Sequence, residues 1–98
     1  MARLNWTDQS IEDLINIADF IAKDSVKYSV IQLKRIRERA KLLRKQPLLG
    51  RVVPETKNES IRELILGSYR IIYRIISVER IDILTVHHSS KLLRIEIK

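Results

Sequence analysis

The sequence contains no cysteine and only two prolines, two glycines, one tryptophan and one phenylalanine among 98 residues. Without cysteine there is neither a disulfide framework nor a thiolate metal site, so stability has to come from packing, and a reducing cytoplasm is the expected compartment. With two histidines and no HxxxH spacing, a zinc centre is not expected. No window approaches the roughly 18 to 20 apolar residues of a membrane span, and the N-terminus lacks a basic segment followed by an apolar run. The chain therefore reads as soluble and untargeted, with no membrane partner. There is no phosphate-binding glycine loop, no GxSxG and no cysteine nucleophile. A length of 98 residues with 45% hydrophobic and 32% charged content suits one domain over 1–98.

What the sequence has in excess is positive charge: 19 Lys and Arg against 12 Asp and Glu give a net +7. Residues 1–24 hold five acids and two bases, so the basic surface belongs to the rest of the chain. That asymmetry favours a polyanion or an acidic protein as partner over simple solubilisation.

"ARLNW" (Ala2 to Trp6) alternates and predicts a first strand. Thr7 is a suitable helix N-cap, followed by acids that suit the positive helix end, and Ile11, Leu14, Ile15, Ala18 and Ile21 recur at helical spacing. A helix over 8–23 follows. Asp24 and Ser25 offer a second cap, and Val26, Val30, Leu33, Ile36, Ala40 and Leu43 trace a second apolar stripe that stops before Pro47. The two helices form an antiparallel hairpin. The outer face of the second carries Lys34, Arg37 and Lys41 among other bases, a solvated face or a partner-binding one.

Beyond Leu48 the period falls to two. "IRELIL", "YRIIYRII" and "RIDILTV" read as an antiparallel meander with turns at Gly67-Ser68 and at Val78-Glu79. The expected fold is α+β: an N-terminal strand, a helical hairpin, then a β-meander with the helices packed on one face of the sheet. The tail "KLLRIEIK" is left as either a further strand or a loose end.

A two-residue turn at Gly67-Ser68 pairs Leu66 with Tyr69, Leu64 with Ile71 and Arg62 with Tyr73 on a core face. The opposite, incompletely covered face then holds Ile61, Glu63, Ile65, Arg70, Ile72 and Arg74, with Glu63 diagonal to both arginines. In the next hairpin a two-residue loop places His87 opposite Arg70 and Ile83 opposite Arg74, keeping Leu84 and Val86 in the core; a three-residue loop would bring His88 there instead. Arginine beside histidine can hold a phosphate and move a proton near neutrality. Glu55 reads most simply as a loop carboxylate pairing with Arg51 or a neighbour.

The order of "LNWTDQSIEDLINIADFI", a second long helix, "PLLGRVVPE", "IRELILGSYRIIYRI" and "ILTVHHSSKLL" resembles the RelE/ParE superfamily of toxins from bacterial type II toxin-antitoxin pairs, over nearly the whole chain. The resemblance implies a growth-inhibiting toxin held in a hetero-oligomer by a cognate antitoxin, whose amphipathic C-terminal segment wraps the toxin. The helical hairpin, "EDLINIADFIA" and "GRVVPE" look most like the ParE branch, which poisons DNA gyrase. Glu55, Arg70 and His88, aligned without gaps, fall where YoeB-like enzymes of the RelE branch keep a base, a phosphate-binding arginine and an acid. That alternative implies metal-independent cleavage of messenger RNA on the ribosome, with His87 or His88 as the acid. No cofactor is implied by either branch. Arg51, Arg62, Arg74, Lys91 and Arg94, with the three bases of the second helix, are the expected contacts to target or antitoxin. A third possibility is a degenerate relative that only binds antitoxin or nucleic acid.

Overall fold

The computed structural model describes residues 1–90. The element order is β1 (Arg3–Trp6), α1 (Asp8–Ala22), α2 (Val26–Lys41) with a 3-10 turn over Leu42–Arg44, β2 (Arg51–Val52), β3 (Ile61–Leu66), β4 (Tyr69–Ser77) and β5 (Arg80–His88). The five strands make one sheet in the order β1-β5-β4-β3-β2. The meander β3-β4-β5 is antiparallel as expected. β1, however, pairs parallel with β5, and Arg51–Val52 adds a short antiparallel edge that the sequence did not announce. The tail "KLLRIEIK", with Lys91 and Arg94, lies outside the described residues.

Both helices start where their caps place them. Thr7 accepts from the Ser10 N–H at 3.2 Å, and its own hydroxyl donates to the Ile83 carbonyl at 2.7 Å, so one side chain caps α1 and ties it to β5. Ser25 accepts from the Tyr28 N–H at 3.0 Å. The helices cover one sheet face with a core of Ile36, Ala40, Leu43, Leu64, Ile71, Tyr73, Ile81, Ile83 and Val86.

The stripe expected on α2 is rotated. Its buried line runs through Ser29, Gln32, Ile36 and Ala40, and Val26 and Val30 are 68% and 61% exposed. On α1, Ile11 and Ile15 are also exposed. Ser29 and Gln32 take the buried line of the first turns of α2, and Val26 and Val30 lie on its exposed side.

The first hairpin has the predicted register throughout, from Leu66 opposite Tyr69 to Ile61 opposite Arg74. Gly67 supplies the positive φ of 57° that its turn requires. The second hairpin keeps the two-residue loop, Ser77 opposite Arg80, and ends with Arg70 opposite His87. Between these ends the register shifts twice, near Ile75 and near Tyr73. Ile83 therefore sits opposite Tyr73 in the main core instead of opposite Arg74, whose partner is Asp82. Leu84 moves to the other face.

That other face is not open at its centre. Val53, from the segment after β2, closes over Ile61 and Ile72, with Leu84 packed beside them. The Val53 N–H donates to the Ile61 carbonyl at 3.0 Å, so the segment is stitched to the sheet as well as packed on it.

Candidate functional site

On β3, opposite Ile72, Glu63 has a fully buried side chain. A buried carboxylate needs partners, and it has two arginines. Arg70 Nε donates to its Oε1 at 2.6 Å and Arg51 Nε to its Oε2 at 2.7 Å. Expectation had Glu63 between Arg70 and Arg74 on an exposed face. The structure buries it and replaces Arg74 by Arg51, because β2 lies beside β3 with Arg51 opposite Glu63.

Arg70 has a second carboxylate at its other end. Its Nη1 and Nη2 donate to Glu55 Oε2 and Oε1 at 2.9 and 3.0 Å, a bidentate fork that uses both carboxylate oxygens. Glu55 thus pairs with Arg70 and not with Arg51. The Arg70 side chain is 15% exposed and Glu55 is 45% exposed, so the pair stands at the mouth of the cluster. The fork from Arg70 holds the Glu55 carboxyl below its ordinary value of 4.5, with a smaller contribution from the nearby His87. Arg70 is held more firmly protonated by Glu55 first and Glu63 next.

The register assigns the histidines. His87 lies opposite Arg70 and within electrostatic reach of Glu55. His88 turns to the helix side, where its ring meets Tyr69 edge-on at 5.3 Å. Its Nδ1 accepts from the Ser90 N–H at 3.2 Å. The register follows periodicity, and Glu55, Arg70 and His87 lie together on this face of the sheet.

The remaining candidates disperse. Arg62 is occupied by the Gly50 carbonyl at 3.0 Å and the Glu59 carbonyl at 3.1 Å. Lys34, Arg37 and Lys41 stand exposed along α2. Asp13, read from sequence as a complement to the helix dipole, instead accepts from the Thr85 hydroxyl and from the Val86 N–H, the latter at 3.0 Å. It pins α1 to β5 beside the cluster. Its one sequence signal was position, on the flank of α1 that turns toward the core. Among the described residues no group of three or more His, Cys, Asp or Glu is placed to hold a metal, and no helix is long and apolar enough to cross a membrane.

A sequence profile of the family described as ParE toxin of type II toxin-antitoxin system, parDE, matches residues 4–93. The chain belongs to the ParE toxin family. A solved structure described as the chromosomal ParDE TA system from P. aeruginosa has the same fold, with a TM-score of 0.74 at 23% identity over 90% of this chain and 96% of that one. No protein of curated function matches the sequence. As a ParE-family toxin the chain has an antitoxin as its expected partner, in keeping with its place in a two-component system.

The linkage of Glu55 to Arg70 has a measurable consequence. Because the folded value of Glu55 lies below the unfolded one, the tie contributes fully above the ordinary carboxylate range and is lost as pH falls through the lowered folded value. A carbon-13 titration of the Glu55 carboxyl is expected to show a midpoint below 4.5 in the native toxin. In Arg70→Met the midpoint should rise, and an unchanged midpoint would contradict the fork.

Proposed function

We propose that this ParE-family toxin arrests growth by poisoning DNA gyrase and is silenced by an antitoxin encoded with it. The observation that weighs most between the two branches of the wider superfamily is the state of Arg70. A phosphate-binding arginine needs donors free for the phosphate, and a general base needs an unpaired carboxylate. Here Arg70 commits Nε to Glu63 and one N–H of each Nη to Glu55, so the side that would meet a phosphate is already paired with carboxylates. The same fork lowers the basicity of Glu55. This supports a toxin whose Arg70 cluster is structural and whose action is to bind its target.

The antitoxin reading also has a surface to draw on. Ile11 and Ile15 of α1 and Val26 and Val30 of α2 are exposed on the helical hairpin, with Lys34, Arg37 and Lys41 on the same helix. An amphipathic antitoxin segment that also carries acids would cover the first group and pair with the second.

The alternative, ribosome-dependent cleavage of messenger RNA, is favoured by one observation, the convergence of Glu55, Arg70 and His87. In it Glu55 would take the proton of the ribose 2'-hydroxyl, Arg70 would stabilise the phosphorane and His87 would protonate the leaving oxygen. Inducing the toxin alone, with parallel readouts of gyrase-trapped DNA breaks and of message cleavage, separates the two. Trapped breaks with intact messages are expected. Message cleavage abolished by Arg70→Ala, with gyrase untouched, would establish the nuclease instead.

A further inference from the structure

On the side of the molecule where β1 meets the end of α2, a cleft of about 260 Å3 is lined by Arg3, Leu4, Trp6, Arg37, Lys41 and Arg44. We infer that this cleft is a binding site for single-stranded nucleic acid, in which the four cations hold consecutive phosphates and Trp6 offers a surface on which an unpaired base stacks.

The placement follows from the fold. Arg37, Lys41 and Arg44 recur at i, i+4 and i+7, which brings them onto one flank of α2 and its 3-10 extension. Arg3 joins from β1, because the 3-10 turn is tied to the start of that strand by the Ala2 N–H donating to the Arg44 carbonyl at 2.9 Å. Among the described residues no carboxylate lines the cleft. Arg44 Nε reaches the Ala2 carbonyl at 3.4 Å, and Lys41 pairs with Glu38 at 3.6 Å on the exposed helix surface. The neighbouring Arg80, opposite Arg3 in the strand register, is turned to Asp82. Four like charges gathered around one cavity repel one another, and a bound polyanion relieves that repulsion.

The tryptophan selects among polyanions. Trp6 packs against the core with part of its surface left to the cleft wall. Carboxylates of an acidic peptide would satisfy the cations but leave the indole unused. A nucleic acid strand presents phosphates and flat bases together, and base stacking on an aromatic ring between basic side chains is the common solution for unpaired strands. Duplex DNA hides its bases and would engage the cations alone. This site lies apart from the Glu55–Arg70–His87 cluster and does not depend on how the toxin stops growth.

Trp6 is the sole tryptophan in the sequence, so its fluorescence reports on this cleft directly. Titrating the purified toxin with a mixed-sequence single-stranded oligonucleotide is expected to quench that emission to saturation. With three to four phosphates engaged, affinity should fall by about 20- to 50-fold between roughly 50 and 200 mM salt. Arg37→Glu and Lys41→Glu change exposed residues, and circular dichroism checks that their folds are intact. Each should weaken binding and reduce the salt slope by about one or more. The same strand annealed into a duplex should quench less. Absence of quenching, quenching untouched by both variants, or equal quenching by polyglutamate would each overturn the inference.

Discussion

Replacing Glu63 with alanine is expected to lower the stability of the toxin by about 3 kcal/mol, because one partner is removed from a buried charge network. The two arginines that lose it are not equivalent. Arg51 is 68% exposed and returns to water at little cost. Arg70 is 15% exposed and keeps only Glu55, itself at the surface, so its guanidinium is left partly desolvated with one carboxylate instead of two. The Glu63 side chain is fully buried, so its removal also leaves a cavity that adds to the electrostatic loss. For a domain of this size the thermal midpoint should fall by roughly 12 to 24 °C. Glu63→Gln keeps the shape and one acceptor and should cost about half as much. Removing Arg70 together with Glu63 should cost less than the two single changes summed, which a urea-denaturation cycle measures. A loss below about 1 kcal/mol in Glu63→Ala would show that the network contributes little.

Gly50→Ala is expected to cost about 3 kcal/mol or more through steric overlap and lost hydrogen bonds. A methyl at this position would lie 2.5 Å from the Glu63 carbonyl oxygen and 2.7 and 2.8 Å from the hydroxyl and Cε1 of Tyr73. None of these is the loose end of a flexible chain. Glu63 is in a central strand, and Tyr73 is fully buried. The Tyr73 hydroxyl accepts from the Gly50 N–H at 2.9 Å and donates to the Pro47 carbonyl at 2.7 Å, so pushing the ring away leaves two backbone groups unpaired. Gly67 provides the contrast. Its φ is +57° but nothing among the described residues lies within 4 Å of an added methyl, so alanine there should cost only about 1 kcal/mol. The glycine with ordinary backbone angles should thus be the more sensitive one, and chemical denaturation of the two variants decides it.

Local sequence carried the hairpins well. Gly67-Ser68 and Val78-Glu79 are turn signals that periodicity reads as placing His87 opposite Arg70, with His88 left open by a longer loop, and the structure has His87 there because its two register shifts cancel. The middle of β5 was not legible. Two register shifts exchange the faces of Ile83 and Leu84, and a bulge in a run as uniformly apolar as "RIDILTV" leaves no mark, since either face accepts Ile or Leu. Glu63 was misjudged for a related reason. Alternation says which residues share a face, not whether a distant segment covers it, and the segment carrying Val53 does so here. Val26 and Val30 failed because spacing alone cannot distinguish the flank of α2 that meets the core from the flank left exposed. The cleft around Trp6 combines residues 3 and 6 with 37 to 44, a combination that only the tertiary fold makes.

The parallel pairing of β1 with β5 sets an order of events during synthesis. Arg3 waits for Arg80, 77 positions later, and at a bacterial elongation rate of roughly 5 to 20 residues per second that is about 4 to 15 s. During that interval α1 and α2 can already associate, but the first strand has no neighbour and Thr7 has no Ile83 carbonyl to bind. The cation-lined cleft gains its strand wall, and Arg70 gains the strand that carries His87, only after the last described strand has been made. The sheet is thus incomplete for most of the chain's translation, and the helical hairpin is made well before the strand that closes it.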